Sequence, residues 1–414
     1  MMLLLLLIYA NFPSASFVPL HPVILVHGYE ATRLLYTVDW TVPGSPPLCP
    51  PKILNSTLWR SFTNYLDPIS SGCWSQCMTM HYDSHSRRSY SAPGVTITTT
   101  PFGELDGVEW LAPPGPQRIP EAIYYKNLVD GLVSLGYQRN VNIKAAQYDW
   151  RRAPNENTEW FTNTRSLIEQ MYLMNGHQPV IIIAHSMGPL FTYILFNRMP
   201  IRWREKYIRS WILLSPSFGG SLDAVHHYLQ LAYGPPDNLL PVERLALRTF
   251  SSSTFLMPRV AAFGNDVLIT SSDGKYRAEE YDRFFNQLGY PNALEQWKDV
   301  RHLYNPHKLR SPGSFSIYCV VGMGVSTMEA AVYNGPLRPE TNFTPIYGDG
   351  DGTVNVKSLR LCYRMGQGKS NFGLKEFPRI SHDQITKDRG PVEYVVNVVN
   401  SINYNAERFT FDFA

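Results

Sequence analysis

The stretch that most constrains the fold is IIIAHSMGP at residues 181–189, where an apolar run ends at a serine among small residues. A buried strand that turns sharply into a helix strains the backbone of its turning residue, so the neighbours two positions away must be small. Around Ser186 those neighbours are Ala184 and Gly188, and Pro189 suits a first helical turn. The pattern predicts a G-x-S-x-G nucleophile elbow with alanine in place of the first glycine. A strand-to-helix loop that carries a surface serine is the alternative.

Strands and helices alternate along much of the chain. The run from Pro179 to Ala184 is continuously apolar, as expected of a parallel strand buried on both faces. Other strands are predicted at 23–26, 141–150, 207–215, 314–322 and 374–377. Helical spacing predicts helices over 128–135, 164–174 and 394–399, with another beginning at Pro189. This alternation is typical of an α/β fold with a mostly parallel, doubly wound sheet.

The chain is longer than one hydrophobic core usually spans. It has 414 residues, 44% of them hydrophobic, which predicts a main domain with sizeable insertions. Residues 17–37, 116–217 and 313–414 carry the α/β pattern and are assigned to the core. Residues 38–115 lose this pattern and form a predicted subdomain, and residues 218–312 form a predicted cap or lid.

Residues 1–16, MMLLLLLIYANFPSAS, resemble a secretory signal peptide, although no Lys or Arg precedes the apolar run. A membrane anchor or a buried strand is the alternative. No later stretch approaches the ~20 apolar residues that span a bilayer, so we expect the mature chain to be soluble. The net charge of +3 comes without a run of Lys or Arg, which argues against nucleic acid as a partner.

Cysteines and sequons indicate an oxidising compartment. Five cysteines are compatible with disulfides and leave one thiol over; a metal site at Cys73 and Cys77 lacks a second ligand pair. Asn55 and Asn342 begin N-x-S/T sequons in stretches that have the character of surface loops. These features predict a glycoprotein of the secretory pathway.

A serine hydroxyl needs an imidazole to take its proton and a carboxylate to orient that imidazole. In α/β-hydrolases the partners follow the serine in the order acid, then histidine. His382 follows the last good acidic candidates and a predicted strand, so it is the predicted base. Asp351 is preferred over Asp349 as the acid because it opens the turn with Gly352 and Thr353. A calcium loop in GDGDG is the alternative, and no cofactor or metal is expected.

Acyl transfer also needs backbone N–H donors for the developing oxyanion. One donor is expected from Met187, which follows the serine, and the other from Tyr29 in the loop VHGYEA after the first strand. His27 and Gly28 shape that loop, and the small glycine lets a substrate approach the backbone.

Three longer motifs, YDWRRAPNE, VIIIAHSMG and YGDGDGTVN, resemble the lecithin:cholesterol acyltransferase family, and most of all its lysosomal phospholipase A2 branch. The resemblance runs from about His21 to the C-terminus. It implies an α/β-hydrolase fold with a membrane-binding subdomain and a cap. It also implies that an acyl chain passes from a glycerophospholipid to the serine, and then to water or a lipid alcohol such as ceramide or a sterol.

Residue roles follow from the matching motifs. The resemblance implies Ser186, Asp351 and His382 as the triad, with Tyr29 and Met187 at the oxyanion hole. It also implies disulfides joining Cys49 to Cys73 and Cys319 to Cys362, with Cys77 as the free thiol. Trp59, Phe62 and Trp74 are candidates for docking on a phospholipid membrane or lipoprotein surface, and core aromatics are the equal alternative.

Two stretches depart from the family pattern. The family loop usually has proline before its glycine, where this chain has His27, and Tyr29, Glu30 and Ala31 follow. The stretch between Cys49 and Cys73 is more polar than the family's membrane face.

From the three triad residues and the family resemblance we expect a lysosomal or extracellular serine phospholipase and O-acyltransferase. A neutral-lipid lipase or esterase, or a catalytically impaired lipid-binding relative, is the alternative.

Overall fold

The computed structural model describes residues 20–41, 49–61, 67–229 and 241–404, so the predicted signal peptide and Phe62 lie outside the described residues. The strands are β1 (Val23–Val26), β2 (Leu34–Asp39), β3 (Lys52–Trp59), β4 (Met80–Asp83), β5 (Arg88–Ser91), β6 (Val95–Thr99), β7 (Ile143–Ala145), β8 (Val180–His185), β9 (Ile208–Leu214), β10 (Val267–Ser271), β11 (Gly274–Arg277), β12 (Ser316–Met323), β13 (Val325–Tyr333), β14 (Phe343–Gly350) and β15 (Phe372–Pro378). The helices are α1 (Pro68–Met78), α2 (Asp106–Glu109), α3 (Lys126–Ser134), α4 (Thr158–Met174), α5 (Gly188–Arg198), α6 (Ile201–Tyr207), α7 (Leu222–His226), α8 (Pro241–Leu247), α9 (Ser251–Phe255), α10 (Val260–Phe263), α11 (Tyr281–Leu288), α12 (Pro291–Val300), α13 (Val356–Leu359) and α14 (Arg389–Asn403).

A six-stranded parallel sheet forms the centre of the fold, in the order β15-β12-β9-β8-β1-β7. Every residue of β8 is buried, which explains its continuous apolar run. The mostly parallel sheet predicted from the strand and helix alternation is therefore confirmed, and the fold is that of an α/β-hydrolase. The predicted strand over 141–150 is much shorter, because only Ile143–Ala145 pairs with β1 at the sheet edge.

Helices cover both faces of this sheet, because side chains of a strand alternate between its two faces. Ile182 and Ala184 point to one face and pack in a core with α4 and α5, whereas Ile181 and Ile183 join a second core with α3 and α14. No helix in the described ranges is both long enough and apolar enough to cross a bilayer. The two cores hold the carboxyl ends of β1, β8 and β12 in fixed relative positions.

Three smaller sheets lie outside the central one, and the smallest is the antiparallel pair of β4 and β5. Strands β3-β2-β6 form an antiparallel sheet, whose first residue along the chain is Leu34. A disulfide between Cys49 and Cys73 links the segment just before β3 to α1. Strands β11-β10-β13-β14 form the third. In this sheet β10, from the predicted cap, pairs with β13, and β11 joins the sheet through β10. The sequence pattern grouped β13 and β14 with the core instead.

The second disulfide joins Cys319 on β12 to Cys362 in the turn after α13. Both disulfides implied by the family resemblance are therefore present. Cys77 is the free cysteine of the described residues; it is buried on α1, and burial raises the pKa of its thiol to about 12. It lies one helical turn after Cys73 on α1.

Replacing Cys319 and Cys362 together by alanine is expected to lower the free energy of unfolding by about 2–5 kcal/mol, because the unfolded chain loses a constraint across a loop of 43 residues. Urea titration would measure the loss. Cys77→Ala is the control: it removes one buried sulfur and no cross-link, so its loss should be smaller. Equal losses for the two variants would contradict a stabilising role for this disulfide.

Candidate active site

Ser186 occupies a strained turn between β8 and α5. Its φ of 59° lies in the left-handed region that side chains other than glycine seldom adopt. A Cβ on Gly188 would lie 2.7 Å from the carbonyl oxygens of both Val26 and His27, so only glycine fits where α5 begins against β1. The Ser186 N–H donates to the carbonyl of Leu214 at 2.9 Å, which ties the turn to β9. This is the strand-turn-helix geometry predicted from residues 181–189.

His382 lies between the Ser186 hydroxyl and the Asp351 carboxylate. The distances are 2.8 Å from His382 Nε2 to Ser186 Oγ and 2.7 Å from His382 Nδ1 to Asp351 Oδ2. Because a carboxylate only accepts, Nδ1 carries the proton of the neutral imidazole and Nε2 accepts from the hydroxyl. The structure thus brings the three predicted residues together in the order that proton transfer from serine requires.

The loop after β14 holds Asp351 rigidly. Its Oδ1 accepts from the backbone N–H of Val354 at 2.7 Å and of Thr353 at 3.2 Å, and its carbonyl accepts from the His382 N–H at 2.7 Å. Asp349 instead accepts from the Gly324 N–H at 2.7 Å. The geometry therefore assigns the contact with His382 to Asp351, which is fully buried.

The charges around His382 favour its protonated form. Burial alone lowers the pKa of a histidine, but the charge and hydrogen bond of Asp351 outweigh it, so the pKa of His382 is raised above its ordinary value. Asp383 and Asp223 act in the same direction. An imidazolium formed during the reaction is thus stabilised in place.

Two backbone N–H groups are the predicted oxyanion donors beside Ser186. A Cβ added to Gly28 would lie 2.6 Å from Ser186 Cβ, so the loop after β1 runs directly against the serine. Within the ranges that the structure describes, the N–H groups of Tyr29 and Met187 donate to no protein acceptor. Both are therefore available to a negative oxygen bound at the serine.

Polar side chains that the sequence did not single out hold this loop. The Gly28 N–H donates to the Tyr124 hydroxyl at 3.2 Å, and that hydroxyl lies 2.7 Å from Nδ1 of His185. His185 Nε2 lies 2.8 Å from the His382 carbonyl oxygen and donates to it. Tyr124 lies far from the motifs along the chain, and no sequence signal connects it with them.

Of the three aromatics predicted to contact lipid, Trp59 and Trp74 lie within the described residues, and both are buried. Trp59 is 4% exposed and packs edge-on against Trp150, and Trp74 is 2% exposed. Both indoles are core residues, as the alternative interpretation had it, because a large apolar ring is stabilised most when it is buried. Asn55 and Asn342 are exposed, as N-glycosylation requires. No cluster of three or more His, Cys, Asp or Glu side chains in the described part of the chain is arranged to hold a metal ion.

Gly28→Ala is expected to reduce the rate at which a fluorophosphonate labels Ser186 by about 100-fold, because the added Cβ displaces the loop or the serine. The rate can be followed with a fluorescent probe. Gly72→Ala is the matched control, since a Cβ there meets nothing within 4 Å and alanine suits a helix. Unchanged labelling of Gly28→Ala would contradict the close approach of the two turns.

Comparisons with known proteins show which family the chain resembles. The family model of lecithin:cholesterol acyltransferase matches residues 54–383. A lysosomal phospholipase A and acyltransferase of Bos taurus is 30% identical over 350 residues, which are 83% of this chain and 83% of the relative. A phosphatidylcholine-sterol acyltransferase of Gallus gallus is 32% identical over 332 residues, which are 79% of this chain and 77% of the relative.

Among solved structures, the crystal structure of the Tle4–Tli4 complex is similar over 93% of this chain and 98% of the other, with a TM-score of 0.54. At 13% sequence identity this likeness concerns the fold alone. The family match extends over most of the chain and confirms the resemblance that the three motifs predicted. The chain belongs to the lecithin:cholesterol acyltransferase family.

Proposed function

We propose that this enzyme is a serine-dependent phospholipase A and O-acyltransferase. The observation that carries the proposal is the hydrogen-bonded array of Ser186, His382 and Asp351 in a chain of this family. Ser186 acts as the nucleophile, His382 as the general base and acid, and Asp351 as the group that fixes the imidazole tautomer.

In the first half-reaction His382 Nε2 takes the proton of Ser186 while Oγ attacks the ester carbonyl carbon of a glycerophospholipid. The N–H groups of Tyr29 and Met187 stabilise the negative oxygen of the tetrahedral intermediate. The ester C–O bond then breaks, and the lysophospholipid oxygen leaves with the proton from His382. The acyl chain remains on Ser186 as an ester.

In the second half-reaction water or a lipid alcohol gives its proton to His382 and attacks the acyl-serine carbonyl. Water yields a fatty acid, and a ceramide or sterol hydroxyl yields an acylated lipid. The relatives named as a phospholipase A and acyltransferase and as a phosphatidylcholine-sterol acyltransferase support both acceptor classes. In either case Ser186 regains its proton from His382.

The enzyme meets its substrate at a phospholipid membrane or lipoprotein surface. Exposed apolar side chains in the segment between Cys49 and Cys73 support this: Leu54 on β3 is 82% exposed and Ile69 on α1 is 53% exposed. Two disulfides and relatives that include a lysosomal enzyme support a place in the secretory pathway, in lysosomes or outside the cell. Asn55 and Asn342 are the proposed glycosylation sites.

Ser186→Ala is expected to lower release of lysophospholipid from phosphatidylcholine liposomes by about 10⁶-fold, because the covalent route is lost. Liposomes that also contain ceramide or cholesterol report the acceptor through the acylated product. Ser134→Ala, a surface change on α3, is the matched control and should keep full activity. Turnover of triacylglycerol but not of phospholipid would favour a neutral-lipid lipase, and no turnover with intact lipid binding would favour an impaired relative.

Asp351→Asn is expected to lower kcat by about 10⁴-fold and to shift the acid limb of the pH profile of kcat/KM to lower pH. His382 works as a base only when neutral, so activity rises with pH through its pKa. Because Asp351 raises that pKa, removing the carboxylate lowers it. An acid limb at the same pH in both proteins would contradict the assignment of Asp351.

A further inference from the structure

We propose that the side chain of His27 is a positioning residue that aims the Tyr29 N–H at the oxyanion. The inference deepens the proposed function, since it rests on Tyr29 being an oxyanion donor. His27 is the residue that stands where the family usually has proline. It is fully buried at the end of β1, next to the glycine that touches Ser186.

Hydrogen bonds fix the tautomer of His27. The Tyr148 N–H donates to His27 Nε2 at 3.1 Å, and because an amide N–H only donates, Nε2 carries no proton. The proton of the neutral imidazole is therefore on Nδ1, which lies 2.7 Å from the Gly28 carbonyl oxygen and donates to it. The Tyr148 ring stacks on the imidazole with 4.0 Å between centroids, and its hydroxyl donates to the His27 carbonyl at 2.7 Å.

The Gly28 carbonyl and the Tyr29 N–H belong to one peptide unit. A peptide unit is planar and trans, so its C=O and N–H point in opposite directions and rotate together. By holding the Gly28 oxygen, His27 fixes the direction of the Tyr29 N–H. A hydrogen bond to the carbonyl also polarises the amide and makes its N–H a stronger donor.

The preceding peptide unit is held as well. The Gly28 N–H donates to the Tyr124 hydroxyl, so both backbone groups of Gly28 are tied to buried side chains. Gly28 has no side chain of its own to restrain it, and a glycine backbone is otherwise the most mobile kind. The two contacts preorganise the loop before a substrate arrives, which is when an oxyanion donor is most effective.

The surroundings of His27 keep it neutral. Burial lowers its pKa to about 4, although the charge of Asp149 acts in the opposite direction. The other titratable groups close to it are Tyr148, which stacks on the ring, and His185, whose pKa burial lowers as well. A second proton on His27 would set Nε2–H against the Tyr148 N–H, two donors facing each other, so the arrangement holds above about pH 4.

Two amide substitutions separate positioning from packing. The amide nitrogen of asparagine lies about as far from Cα as Nδ1 of histidine, whereas that of glutamine lies about as far as Nε2. His27→Asn should therefore still donate to the Gly28 carbonyl, and His27→Gln should not. Both variants lose the stacking on Tyr148, so a loss of stability is common to both.

We expect His27→Gln and His27→Leu to lower kcat for phosphatidylcholine hydrolysis by about 10–100-fold with KM within about twofold, since oxyanion donors act on the transition state. His27→Asn should keep kcat within about fivefold of the unchanged protein. Equal kcat values for the asparagine and glutamine variants, or a loss confined to KM, would overturn the proposal.

The unchanged enzyme supplies the remaining controls. If it neither hydrolyses phospholipid nor is labelled at Ser186 by a fluorophosphonate, the proposed function fails, whereas a hydrolase indifferent to His27→Gln refutes the positioning role alone. Should the variants not fold, a neutron crystal structure of the unchanged protein decides. A proton on Nδ1 of His27 supports the proposal, and a proton on Nε2 instead overturns it.

Discussion

The close contact between the end of β1 and the turn after β8 is the constraint on which the rest of the site depends. Parallel pairing places Val26 beside Ala184. Beyond these residues the two segments come so close that each needs a glycine where it faces the other. Gly188 leaves room for the carbonyls of β1, and Gly28 leaves room for Ser186. Without both, the serine and the oxyanion loop could not lie side by side.

Asp351, the acid of the triad, lies on a segment outside the central sheet. Asp351 follows β14, a strand of the smaller sheet that β10 and β11 also join, yet its carboxylate contacts a histidine on the loop after β15. A Cβ on Gly322, on β12, would lie 2.3 Å from the Ile380 carbonyl oxygen and 3.5 Å from Asp351 Cβ. The packing of the smaller sheet against the end of β12 therefore determines whether the acid and the base meet.

Local sequence patterns were sufficient for much of the fold and for the three reacting residues. β1 and β8 are short apolar runs whose pattern depends only on burial, and the turns at Ser186 and Asp351 carry small residues that their backbones require. The partnership of β10 and β11 with β13 and β14 was not predictable, because strand pairing between distant segments leaves no local pattern. For the same reason Tyr124 was missed, and Trp59 and Trp74 were not distinguishable as core or surface side chains.

The neighbourhood of Cys77 has a consequence for how the protein folds. Cys73 and Cys77 lie one turn apart on α1, so either thiol is within reach of Cys49 in a chain that is still unstructured. In the finished fold Cys77 is buried, and burial raises the pKa of its thiol, so little of the thiolate that exchanges with a disulfide is present. The choice of partner for Cys49 is therefore made while α1 forms and docks, before burial lowers the reactivity of the Cys77 thiol.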